Sequence, residues 1–163
     1  LKEKLQKDLN ESLKSGDQLK RLVLGMLMTS VKNKELAKRQ QLSKSVSDVG
    51  ELEKRSQLTD EEVIEVVAGE VKKRKEAMEQ FKTGGRDELA QKEKSEMDIL
   101  LTYLPEQMSE EEIRAEVQKT ITELGAAGPK DMGRVIGAIM AKLKGRAEGG
   151  TVSRIAKELL RSG

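Results

Sequence analysis

At 163 residues the chain has room for one medium domain or two small ones, each with a modest core. Charged residues make up 37% and apolar residues 36%, with 31 Lys and Arg against 29 Asp and Glu for a net charge of +2. Cysteine and histidine are absent, which excludes disulfides, thiolate nucleophiles, sulfur metal sites and the commonest general base, so neither a cofactor nor a metal is expected.

The apolar residues recur with a period near 3.6 and not in alternation, and the only aromatics are Phe81 and Tyr103, so the fold class expected is all-α. No apolar run approaches the roughly 20 residues that span a bilayer. The first residues alternate acids with lysines, unlike a signal or transit peptide, so the expectation is a cytoplasmic setting, with an organellar matrix also compatible.

Leu1, Leu5, Leu9 and Leu13 share one helical face, and Ser15-Gly16-Asp17 then supplies a stop and a new N-cap. A second helix follows to about residue 38 on Leu19, Leu22, Val23, Met26, Leu27, Ser30 and Val31. The serine-rich stretch 41–58 reads as a mobile connection holding at most a short helical piece. Thr59 and Glu62 have capping-box spacing ahead of Val63, Val66, Val67, Val71, Arg74 and Met78, a helix ended by Gly84-Gly85. A helix from about Arg86 carries Leu89, Met97, Leu100, Leu101 and Leu104 and stops at Pro105. Ser109 and Glu112 repeat the capping box before Ile113, Val117, Ile121 and Leu124, and two helices, about 130–144 and 151–161, complete the chain around "GRAEGG". The boundary falls at Pro105 to Ser109, giving an N-terminal helical domain over 1–105 and a three-helix domain over 106–163.

From Gly128 to Gly163 eight Lys or Arg stand against Asp131, Glu148 and Glu158, a balance of +5 that suggests a polyanionic partner. Gly133, Gly137 and Ala141 recur every four residues. Such a stripe either packs tightly on a neighbouring helix or lets a nucleic-acid backbone lie close. "KGRAEGG" at 144–150 sets Lys144 and Arg146 beside permissive glycines, where a point charge and a two-pronged donor position phosphates. The other charged features have plainer readings. Arg86, Asp87, Lys92, Glu93 and Glu96 form a solvated face with Lys92 and Glu96 four apart, and Glu110, Glu111 and Glu112 are first-turn carboxylates favoured by the helix dipole. Ser43, Ser45 and Ser47 beside Lys44 offer no evident nucleophile pocket, and no catalytic residue is assigned.

The stretches "RLVLGMLMTSVKNKE" (21–35), "LTDEEVIEVV" (58–67), "GRDELAQKEKSEMDILLTYLPEQMSEEEI" (85–113) and "GAAGPKDMGRVIGAIMAKLKGRAEGGTVS" (125–153) resemble the YqeY-like family. These are small stand-alone relatives of the tail of the B subunit of glutamyl/aspartyl-tRNA amidotransferase, grouped together as GatB/YqeY. Gly133, Gly137, Met140, Lys144, Gly145, Arg146, Ala147 and Val152 fall where that tail has similar residues, Arg146 replacing a lysine. Glu148-Gly149 stands where the tail has Asn-Pro, as in the solitary branch.

The resemblance implies an N-terminal helical domain, a C-terminal three-helix domain similar to a tRNA-binding appendage, and a family-level association with carbon–nitrogen ligase activity using glutamine as amido donor. The leading expectation is a noncatalytic module that binds tRNA or another structured RNA through Lys130, Gly133, Arg134, Lys142, Lys144, Gly145, Arg146 and Arg154. With both aromatics outside the basic segment, recognition would be of backbone and shape. The alternatives are a share in amide transfer within a larger complex, or a protein–protein adaptor working through the N-terminal helices.

Overall fold

The computed structural model describes residues 1–161, and among these are eight α-helices and no strand. Two compact units follow one another, Leu1–Tyr103 and the remainder from Leu104.

In the first unit α1 (Lys2–Ser15) turns through Gly16, whose φ of 73° lies in the left-handed region that glycine reaches without a Cβ clash. Asp17 then caps α2 (Gln18–Leu42) by accepting the Lys20 amide at 3.0 Å. The stretch 41–58 holds the short helical piece the sequence allows, α3 (Val49–Ser56), and Val46 and Leu58 on either side of it are buried, which anchors the connection. α4 (Asp60–Thr83) begins with a complete capping box: Thr59 Oγ1 accepts the Glu62 amide at 3.2 Å and Glu62 Oε2 accepts the Thr59 amide at 2.8 Å. α5 (Asp87–Leu101) folds back on α4 after Gly84 and Gly85. Leu5, Val23, Leu24, Val31, Val63, Val67 and Leu100 make the core, and Leu13 and Leu89, both expected on apolar stripes, stay exposed.

Arg74 falls on the apolar stripe of α4 and is buried there between two buried carboxylates. Its Nη1 donates to Glu70 Oε2 at 2.9 Å and its Nε to Glu96 Oε2 at 3.1 Å. Glu70 Oε1 also accepts from Ser30 of α2 at 3.2 Å and from Lys73 at 2.9 Å, so the cluster joins α2, α4 and α5. Glu96 therefore faces Arg74 and not Lys92, which remains exposed. Burial opposes ionisation of Glu70, but the hydrogen bonds from Lys73 and Arg74 outweigh it and hold this carboxyl below its ordinary pKa.

Tyr103 is buried at the end of the same unit, donating to Asp8 Oδ2 of α1 at 2.6 Å with Lys4 Nζ 5.6 Å from its ring centre. Its bond to Asp8 closes the first unit on its own first helix. Burial, reinforced by the Asp8 carboxylate, pushes the phenol well above the ordinary tyrosine pKa. An unfolded tyrosine loses its proton near pH ~10 while the folded one keeps it, so stability is complete below that pH and falls as pH rises above it. With one tyrosine and no tryptophan in the chain, phenolate absorbance reads this directly. Phenolate is expected to appear only as the unit unfolds, and Tyr103→Phe should flatten the alkaline fall in stability.

The second unit opens on another reciprocal capping box, Ser109 with Glu112, at the start of α6 (Glu110–Leu124). A single 3-10 turn, Pro129–Asp131, leads into α7 (Met132–Leu143), and α8 (Gly149–Arg161) follows, starting two residues before the expected 151. Ile113, Val117 and Ile121 of α6, Val135, Ile139 and Leu143 of α7, and Val152, Ile155, Ala156 and Leu160 of α8 form one core. No helix is long and apolar enough to cross a membrane among the described residues.

Candidate functional site

The three-helix unit decides the face of α7 by volume. Val135, Ile139 and Leu143 recur every four residues and are buried, because large branched side chains gain most from leaving water. Gly133, Gly137 and Ala141 recur with the same spacing on another side and are exposed. A Cβ built at Gly133 or Gly137 would meet nothing within 4 Å. Tight packing of this stripe on a neighbouring helix, the plainer sequence reading, is therefore not what the unit does with it.

The turn after α7 is tightly held. Lys144 has φ 28° and ψ 68°, a backbone conformation that side-chain-bearing residues rarely adopt, and Gly145 follows at φ 81°. The Arg146 amide donates to the Leu143 carbonyl at 2.8 Å, closing the turn. The segment before α6 then braces it. Gln107 Nε2 donates to the Gly145 carbonyl at 2.7 Å, the Met108 amide to the Arg146 carbonyl at 2.8 Å, and Arg146 Nε to the Glu106 carbonyl at 3.3 Å. Ala147 is buried, and Gly149 and Gly150 belong to the first turn of α8, so the glycines of "KGRAEGG" do not make a floppy loop. The remaining guanidinium N–H groups of Arg146 make no hydrogen bond among the described residues, and both Lys144 and Arg146 are exposed.

Of the cations proposed from sequence, three are held by carboxylates through ion pairs of 2.7 to 3.5 Å. Arg134 Nη2 donates to Asp131 Oδ1 at 2.9 Å and to the Leu124 carbonyl at 3.3 Å. Lys142 Nζ lies 2.8 Å from Glu123 Oε2 and 3.5 Å from Glu116 Oε1, and Arg154 lies 2.7 Å from Glu110 and 3.1 Å from Glu158. The hydrogen bond that Lys142 donates to Glu123 raises the Lys142 pKa, the one that Arg154 donates to Glu110 raises the Arg154 pKa, and those that Glu158 accepts from Arg114 and Arg154 lower the Glu158 pKa. Lys130, by contrast, is exposed and makes no side-chain hydrogen bond or ion pair among the described residues. Lys130 and Gly133 thus lie at the start of the open stripe, and Lys144, half-exposed Gly145 and Arg146 lie at its end.

Counting charges along the chain misses the carboxylates of α6. From Leu104 onward ten basic residues face nine acidic ones, so the unit as a whole is only +1. The brace through Gln107 was also missed as a role, although its "LPEQ" context stands in the sequence. In the first unit the serines beside Lys44 are engaged locally: Ser43 Oγ donates to the Gln40 carbonyl at 2.8 Å and Ser45 Oγ to the Leu42 carbonyl at 3.2 Å. Neither hydroxyl is paired with the lysine as an activated nucleophile requires.

A family profile described as Yqey-like protein matches residues 45–160. The chain is 28% identical over 127 residues to "Altered inheritance of mitochondria protein 41, mitochondrial" of Lachancea thermotolerans, an alignment covering 77% of this chain and 60% of that protein. It is 31% identical over 91 residues to the protein of the same name from Pyrenophora tritici-repentis, covering 55% of this chain and 50% of that one. An uncharacterized protein of Schizosaccharomyces pombe is 33% identical over 93 residues, 56% of this chain and 76% of its own length. The chain thus spans between half and two thirds of the two mitochondrial relatives. The family match runs from the connection before α3 to the last turn of α8, across both helical units, and the protein belongs to the YqeY-like family.

Proposed function

We propose that this protein is a noncatalytic RNA-binding module whose second unit grips the backbone of tRNA or a similarly structured RNA, in the service of tRNA-dependent amidation or translation. The observation that carries the reading is the outer side of α7, sterically open at Gly133 and Gly137, with Lys130 before it and Lys144 and Arg146 after it. A helix surface without side chains lets a sugar–phosphate chain approach closely, and cations at both ends position phosphates without reading bases. The helix between them is 12 residues, about 18 Å at 1.5 Å per residue, so the grip spans several nucleotides. Arg134, Lys142 and Arg154 serve the fold in this reading, through the carboxylates that hold them. With Phe81 and Tyr103 the only aromatics, the second unit has no stacking platform, and binding is salt-sensitive and tolerant of sequence. The mitochondrial names of the fungal relatives extend the setting from the cytoplasm to an organellar matrix.

A mobility-shift titration with total tRNA at low and moderate salt tests this. The wild type is expected to bind, with affinity falling steeply as salt rises, and Lys144→Glu with Arg146→Glu should abolish the shift with the helical signal intact. Lys144→Gly separates charge from strain. Relieving the φ of 28° should raise stability by about 1 kcal/mol while weakening binding. No shift at low salt, or one indifferent to the double substitution, sinks the reading.

A further inference from the structure

α2 buries one side in the first unit and leaves the opposite side bare. Leu22, Met26 and Leu36 are 49%, 48% and 63% exposed. They lie within about 80° of each other around the helix, along about 21 Å of its length. Leu22, Gly25, Met26 and Thr29 stand at i, i+3, i+4 and i+7 and surround a shallow hollow, the outline of a hole that receives a knob from a facing helix. Gly25 deepens it, because a Cβ there would meet nothing within 4 Å. Thr29 turns its hydroxyl onto the Gly25 carbonyl at 3.0 Å, so it brings no unsatisfied donor to an apolar partner.

The charge around this strip is one-sided. Along its length α2 has six basic residues against Glu35 alone. Lys34 and Lys38 are paired with Glu65 and Glu62. Arg21, Lys32 and Arg39, which helical spacing puts together on the other edge, have no side-chain hydrogen bond or ion pair among the described residues. Lys32, Leu36 and Arg39 line a second hollow, between α2, Lys2 and α3. Glu35 in that hollow is already taken by Lys2 Nζ at 2.6 Å and the Leu58 amide at 3.1 Å, which leaves Glu53 as its other carboxylate. Arg39 is half-buried, a setting in which an unpaired guanidinium gains from a carboxylate.

We propose that this strip of α2 docks an amphipathic helix of a partner protein, one large apolar side chain seated over Gly25 and an acidic flank lying along Arg21, Lys32 and Arg39. The apolar row and the unpaired cations are separate observations, and an acidic amphipathic helix satisfies both. A second copy of this face would set cations against cations, and a nucleic acid has no use for the Leu22–Met26 hole. The inference stands apart from the RNA reading, which concerns the other unit.

The test is fluorescence anisotropy of the full chain with a labelled three-heptad synthetic helix carrying leucines on one face and glutamates on one flank, beside a twin with lysines replacing the glutamates. The acidic helix is expected to bind roughly 10-fold tighter than its twin, or better. Gly25→Leu places in the hole a side chain whose Cβ meets nothing within 4 Å and suits a helix interior better than glycine, so it should keep or raise thermal stability while weakening binding by roughly 10-fold. Lys32→Gln with Arg39→Gln should erase the preference for the acidic helix. Four results overturn the proposal: no binding of the acidic helix at about 0.1 mM, where even a weak helix–groove contact registers; binding untouched by Gly25→Leu; a wild-type dimer in sedimentation that Gly25→Leu dissolves; or displacement by tRNA with Gly25→Leu indifferent.

Discussion

Arg74→Ala is expected to destabilise the first unit by about 3–5 kcal/mol, because it strands Glu70 and Glu96 as buried carboxylates without their shared cation. At roughly 4–8 °C per kcal/mol for a unit of this size, the midpoint of thermal unfolding should fall by more than about 10 °C. Replacing all three groups with apolar residues of similar volume, as in Glu70→Leu, Arg74→Met and Glu96→Leu together, should cost far less than the single change, since no charge is left buried. The two melting curves decide the matter: equal losses would mean that packing, not pairing, governs the site. The cluster also has an acid limit. Because hydrogen bonds hold the folded Glu70 carboxyl below its unfolded value of 4.5, its contribution is complete above that pH and is lost as pH falls through the lower folded value. In Glu70→Gln that part of the acid-induced fall should be missing.

Ile155→Ala should unfold the second unit while leaving the first intact. Ile155 is fully buried in the core shared by α6, α7 and α8, and removing so large a buried side chain costs about 2–5 kcal/mol. A three-helix unit of this size has little more than that to lose. Tyr103 belongs to the first unit and has its hydroxyl on Asp8, so its near-ultraviolet signal reports that unit alone. The expected result is a lower helical signal in circular dichroism at 25 °C, an unchanged Tyr103 signal, and a later transition in which Tyr103 is lost. Simultaneous loss of both signals in one transition would show that the units do not unfold independently.

The fold was legible wherever local chemistry and periodicity agreed. Thr59 with Glu62 and Ser109 with Glu112 marked two helix starts that form in full, and the stripe through Val63, Val67 and Arg74 marked the buried side of α4 even at its charged member. α3 was harder to read because its own buried residue is Ser56, while the apolar anchors Val46 and Leu58 lie outside it. The start of α8 was obscured by Gly149 and Gly150, which a first helical turn tolerates better than a helix interior. On α7 two stripes share one period, and only the volume of Val135, Ile139 and Leu143 decides which is buried. The candidate site was legible as a set of cations but not as a field. Arg154 meets Glu110 44 residues away and Lys142 meets Glu123 19 residues away, pairings that no local window holds.

The bond between Tyr103 and Asp8 joins residues 95 positions apart in a unit whose other helices mostly pack on their sequence neighbours. A ribosome adding about 5–20 residues per second delivers the tyrosine on the order of 5–20 s after the aspartate. Through that interval α1 packs chiefly on α2, without the tyrosine that Asp8 holds in the finished unit. α1 thus waits for its Tyr103 partner until the rest of its unit has been made, and the tie that fastens it is among the last contacts of that unit to become available during synthesis.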